Sequence, residues 1–265
     1  MLSASSSWRP FTLAGSEYDK VDTFVHELGH NFGLNHAGRI DAATSKFLEY
    51  DDSSSTMGSD TGDKLCYNAP QQWALGWQAH QQADGAALKP GSTIVATLPP
   101  QHASPAAGLR IVPDWVRGAR PVYLSYRLAA DQDSDLYAEF SGKVNIYQMN
   151  EKSRSGWMAA VAVGGSWAPD GRFTFKGPWS AEAEQWSSKL YSSLVVRVLS
   201  GGPSGATVSI CRRSGVETAA SCAAGRDNDC NGKAGIEDAG CKNFIKRKNP
   251  PPSRRPPPPR KCAAA

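Results

Sequence analysis

No run of about 18 consecutive apolar residues occurs in the chain, so nothing in it reads as a membrane-spanning helix. The opening residues, Met1 to Trp8, lack the basic start and apolar core of a secretory leader. Cysteine is missing from the first 65 residues. Cys66 then stands alone before Cys211, Cys222, Cys230, Cys241 and Cys262. A late cluster in a loop-rich stretch reads as a disulfide-stapled extracellular module and argues against a reducing compartment. Cys66 either bridges to a distant cysteine or is a buried free thiol. Acidic residues are missing between positions 242 and 261, which hold eight basic residues and a proline run. Without that segment 21 basic residues face 25 acidic ones, so the formal net charge of +4 belongs to the tail. The folded part is mildly acidic and has no nucleic-acid footprint.

Histidine is also scarce, at five residues, yet three of them fall within eleven positions. His26, Glu27, His30, Gly33 and His36 have the spacing HExxHxxGxxH. On a helix, positions i and i+4 share a face, so His26 and His30 can grip one metal ion. Val21, Phe24, Val25, Leu28 and Phe32 recur at helical spacing and predict a helix with a buried stripe. Asp22 suits its first turn. Gly33 permits the left-handed turn that ends the helix and returns His36 as a third imidazole. Three neutral imidazoles leave a tetrahedral zinc one open position, the arrangement of a catalytic site. This is the motif of the metzincin metalloproteases.

Downstream, residues 50–58 set small polar turn formers before Met57 and Gly58. A flexible thioether can fill the floor beneath three imidazoles, so Met57 is the expected Met-turn residue. The run CYNAPQQWALGW from Cys66 predicts a helix with proline in its first turn and glycine near its end. Together, HELGHNFGLNHAG, YDDSSSTMG and CYNAPQQWALGW resemble the gametolysin family, green-algal lysins that digest cell-wall glycoproteins. The likeness extends into strand-like segments as far as residue 213. The resemblance implies a zinc endopeptidase with His26, His30 and His36 as ligands and Glu27 as general base. It further implies a protein substrate, namely Pro- or Hyp-rich cell-wall glycoproteins. Some metzincins place a tyrosine two positions after the turn methionine. Ser59 stands there, so that assistance is not carried over, and Tyr67 is only a weak substitute.

The expected fold is α+β. Residues 1–90 read as part of a metzincin catalytic domain. Residues 91–213 read as an antiparallel, sandwich-like β domain, from short alternating runs at 93–98, 109–112, 122–127, 144–147, 158–163, 173–175, 194–199 and 207–210. Its tryptophans, Trp115, Trp157, Trp167, Trp179 and Trp186, read chiefly as packing. Residues 214–241 form a small Cys-rich unit in which Asp227, Asp229, Asn231, Gly232 and Asp238 follow the spacing of a calcium loop. Aspartate instead of glutamate at the last position, and no flanking amphipathic helices, leave a disulfide-closed turn without metal as the other reading. Residues 242–265 read as a disordered basic tail, able to touch anionic polysaccharide outside a cell. Only about twenty residues precede the histidine helix, with at most one strand at 8–13. A metzincin sheet needs several strands, so the chain is expected to be a fragment of an extracellular or cell-wall protein. The competing expectation is a catalytically inactive, truncated homologue that serves as a structural wall component.

Overall fold

The computed structural model of the chain describes residues 21–40, 47–59, 64–151, 158–167, 172–174 and 194–246. The strand expected at 8–13, Trp157, Trp179, Trp186, Cys262 and, of the tail expected at 242–265, residues 247–265 lie outside these residues, while 242–246 are helical. The described part mixes α and β structure and is mostly β with few helices.

Helix α1 spans Val21–Asn31 and leads through a tight turn into strand β1, Leu34–Ile40, and then β2, Phe47–Leu48. Helix α2, Ala69–Ala74, opens on Asn68, whose side chain accepts from the Gln71 amide while the Gln71 side chain accepts from the Asn68 amide. This reciprocal cap satisfies two otherwise orphaned donors, and Pro70 needs no partner so early in the helix. Gly76, just past the end of α2, has φ +72°. The remaining strands are β3 (Gln81–Ala83), β4 (Thr93–Leu98), β5 (Gly108–Ile111), β6 (Val122–Arg127), β7 (Lys143–Met149), β8 (Met158–Trp167), β9 (Arg172–Thr174), β10 (Leu194–Gly202) and β11 (Gly205–Arg212).

They form two sheets. One has seven strands in the order β2-β1-β8-β7-β6-β5-β3, and the other has four in the order β4-β11-β10-β9. Pairing is antiparallel except between β1 and β8 and between β3 and β5. One face of the larger sheet meets the smaller across a shared core of Leu98, Leu109, Ile111, Val122, Leu124, Ile146, Val196, Val208 and Ile210. Alternation along β6 explains the layering, because successive side chains point to opposite faces. Val122, Leu124 and Tyr126 enter that core. Tyr123 faces the other way and packs with Tyr147, Met149, Ala69 and Trp73 beneath α2. The seven-stranded sheet thus takes strands from both sides of residue 90, and β1, which carries His36, belongs to it.

One expectation is corrected. The stripe on α1 predicted to be buried is largely open: Val21, Phe24 and Phe32 are 53%, 47% and 42% exposed, and Gly29 is the buried residue of the helix. The helix docks through Val25 and Gly29, which meet Met57, Tyr67 and Leu34. Glycine gives the closest approach, so the narrow side of the helix seats on the fold and the broad apolar side does not.

Two disulfides each span 19 residues: Cys211–Cys230 ties the C-terminal unit to the smaller sheet, and Cys222–Cys241 closes that unit on itself. Its helices are α3, Ala219–Ala223, and α4, Lys242–Lys246. Cys230 packs with Val195 and Cys211, and Arg197 on β10 donates to the Asn231 carbonyl oxygen at 2.8 Å. Cys66 forms no disulfide among the described residues, and burial pushes its thiol up to about 12, with Asp133 adding to the shift.

Candidate metal centre

Helix α1 holds His26 and His30 one turn apart. The helix ends with the amide of Phe32 donating to Leu28 and that of Gly33 to His30, and Gly33 takes φ +86°. The chain then enters β1, whose register against β8 slips between Leu34 and Ala37. A bulge re-aims the side chain it carries. Here that residue is His36. The ring centroids of His26, His30 and His36 lie 4.9, 4.8 and 5.4 Å apart, and one nitrogen from each lies within 4.8 Å of the others. The three predicted ligands are therefore brought together, and all are half-buried.

Each ring engages an acceptor through Nδ1. His26 donates to the Thr56 carbonyl oxygen at 2.8 Å, and His30 to that of Leu34 at 2.9 Å. His36 donates to the Glu49 carboxylate at 2.7 Å. With Nδ1 carrying the proton, Nε2 is the unprotonated nitrogen of each ring, which is the form that ligates a metal. Burial also lowers the pKa of His26, and the neighbouring imidazoles push in the same direction. Both effects favour the neutral ring. Three imidazole nitrogens suit zinc and similar divalent transition metals. Glu27 adjoins His26 on the helix and is half-buried. The Tyr50 ring lies 4.0 Å from that of His36, centroid to centroid.

Beneath the helix sits Met57, fully buried. A side chain at Gly29, between the two helical histidines, would run into its sulfur. The Met57 carbonyl oxygen accepts from the Ala37 amide at 2.7 Å, joining this turn to β1. The polar residues before it are buried and bonded: Asp52 accepts from the Ser54 hydroxyl and the Asn68 amide group at 2.6 and 2.9 Å. Ser55 donates to Gln71 at 2.6 Å. Arg127 reaches in from β6 and donates to the Ser54 carbonyl oxygen at 2.8 Å, while its guanidinium clasps Asp133 at 2.6 and 2.7 Å. The Tyr67 hydroxyl donates to the Val25 carbonyl oxygen at 2.6 Å and is thereby committed to holding the helix.

The loop expected to bind calcium brings Asp227, Asp229 and Asp238 together with Glu217, their oxygens within 4.8 Å. Asp227 accepts from the Asn231 and Gly232 amides at 3.0 and 2.7 Å, and Asp238 from the Gly240 amide at 2.6 Å. Glu217 accepts from the Ser221 hydroxyl at 2.6 Å and from the Asn228 amide. These bonds and the two disulfides suffice to hold the turn, and calcium is unsupported. Glu217 escaped the sequence reading because it lies ten residues before the Asp run. Glu49 and Tyr50 escaped it because a single contact across a short hairpin leaves no periodic signal.

The histidine triad, carried by a helix and a strand, is a cluster that could hold a metal ion. The profile of the gametolysin peptidase M11 family matches residues 7–162, more than half of the chain, and the chain belongs to that family. It is also 28% identical over 271 residues to a protein named autolysin from Chlamydomonas reinhardtii, an alignment covering 90% of this chain. The chain spans 41% of that relative's length. No solved structure matches it.

Proposed function

We propose that the chain is a zinc-dependent endopeptidase whose substrates are Pro- or Hyp-rich glycoproteins of a cell wall or extracellular matrix. The observation that carries this reading is the convergence of His26, His30 and His36 with every Nδ1 engaged by an acceptor. Zinc, when held by these rings, supplies a Lewis acid that acidifies water and polarises a peptide carbonyl. Glu27 then takes the proton of the attacking water and delivers it to the departing amine. His36 keeps its orientation through Glu49, and Met57 supports the helix from below. The two disulfides support an extracellular setting, and among the described residues no helix is long and apolar enough to cross a membrane. The wall substrate rests on family membership and on the name of the autolysin relative.

The test is to purify the chain, measure bound zinc, and follow chelator-sensitive cleavage of a gelatin-like substrate. Glu27→Ala is expected to keep its zinc and lose about 10²- to 10⁴-fold in cleavage rate. A variant that cuts at the parent's rate would remove Glu27 from the mechanism. Zinc uptake without any cleavage by the parent would favour the structural wall component.

A further inference from the structure

We propose that Glu49 is a positioning residue of the metal centre, a carboxylate set behind His36 that fixes the ring and offsets the charge of a bound dication. This rests on the reading of His26, His30 and His36 as ligands. Two of the three rings lean on neutral main-chain carbonyls, those of Thr56 and Leu34. His36 donates instead to a charged group, Glu49 Oε1 at 2.7 Å.

The contact is built. Residues 49–52 hold β1 at successive points. Glu49 takes the His36 ring nitrogen, and Tyr50 lies against the face of the same ring. Asp51 pairs with Arg39 at 2.6 Å, and the Asp52 amide donates to the Ala37 carbonyl oxygen at 3.2 Å. Two of these four contacts, those of Asp51 and Asp52, serve the strand, and Tyr50 packs on the His36 ring without a hydrogen bond to it among those described. Glu49 serves the ligand.

His36 also has the greatest need of such a contact. Its partners sit on a helix, whose own hydrogen bonds fix their positions, whereas His36 rides a strand at an irregular register. The Glu49 side chain is 57% exposed, so its bond to a neutral imidazole would by itself stabilise the fold very little. A carboxylate on the far side of a metal-bound imidazole acts differently: it fixes the tautomer and raises the basicity of the ligating nitrogen. An ordinary surface hydrogen bond would touch fold stability alone, and a positioning contact would touch metal affinity.

The experiment uses the full chain, stripped with a chelator and titrated with zinc against a chromophoric competitor, with the visible spectrum of the cobalt-loaded form alongside. Glu49→Ala is expected to weaken zinc binding by about 10- to 100-fold and to shift the cobalt bands, with metal-free unfolding unchanged. Glu49→Gln keeps an oxygen acceptor without the charge and is expected to fall between parent and Glu49→Ala. Zinc affinity of Glu49→Ala within about twofold of the parent, with an unaltered cobalt spectrum, would overturn the proposal. If Glu49→Ala does not fold, Glu49→Gln decides, and parental affinity in it overturns the proposal equally. A parent that takes up no zinc at all would bring down the metal-centre reading itself, so the two failures are distinguishable.

Discussion

His80 is 7% exposed and lies outside the metal site, packed edge-on against Tyr123. Burial, and after it the Arg110 cation, lower its pKa from 6.5 to about 4. The folded state therefore binds fewer protons at this ring than the unfolded chain does between those two values. Its contribution is intact above pH 6.5 and is lost as pH falls towards 4, at most about 3 kcal/mol. A His80→Gln variant should show a shallower fall of melting temperature across that range than the parent. Parallel curves would mean that the ring titrates normally in the fold. Glu27 stands out in the sequence because its motif sets an acid beside the first histidine. Glu49 does not, since its meaning comes only from the hairpin that folds it back onto His36.

The turn before Met57 is supported from β6, an element some seventy residues away in sequence. Arg127 and Asp133 are both fully buried and paired, with Arg127 also donating to Ser54. Removing one partner strands the other charge without water. Arg127→Met is therefore expected to cost about 3–5 kcal/mol in denaturant unfolding, with much of the loss recovered when Asp133→Leu is added. A single variant of parental stability would show that the pair carries no weight. The sequence disclosed the elements whose local chemistry is self-contained: the histidine helix, the left-handed Gly33, and α2 with its proline and glycine. It misjudged which side of α1 is covered, because hydropathy records the breadth of an apolar stripe and not the intimacy that Gly29 allows. The segment Leu34-Asn35-His36-Ala37-Gly38 shows no strand alternation, so its membership of a sheet was invisible.

Among the described residues, the C-terminal unit and the histidines attach to different sheets. The C-terminal unit is attached by Cys211–Cys230 and closed by Cys222–Cys241, at the smaller sheet. The histidines are carried by α1 and by a strand of the larger sheet. Replacing Cys222 and Cys241 together by serine should release residues 214–246 to limited proteolysis, at a cost of about 3 kcal/mol for a loop of this size. Zinc affinity should stay at the parental value. A parallel drop in zinc affinity would show that the two regions are mechanically coupled.

The parallel pairing of β1 with β8 joins residues 34–39 to residues 158–162, more than a hundred positions apart. During synthesis, His26 and His30 can assemble on their helix long before the neighbouring strand of His36 has left the ribosome. The three imidazoles are thus expected to converge only once the later half of the chain has arrived and the sheet closes.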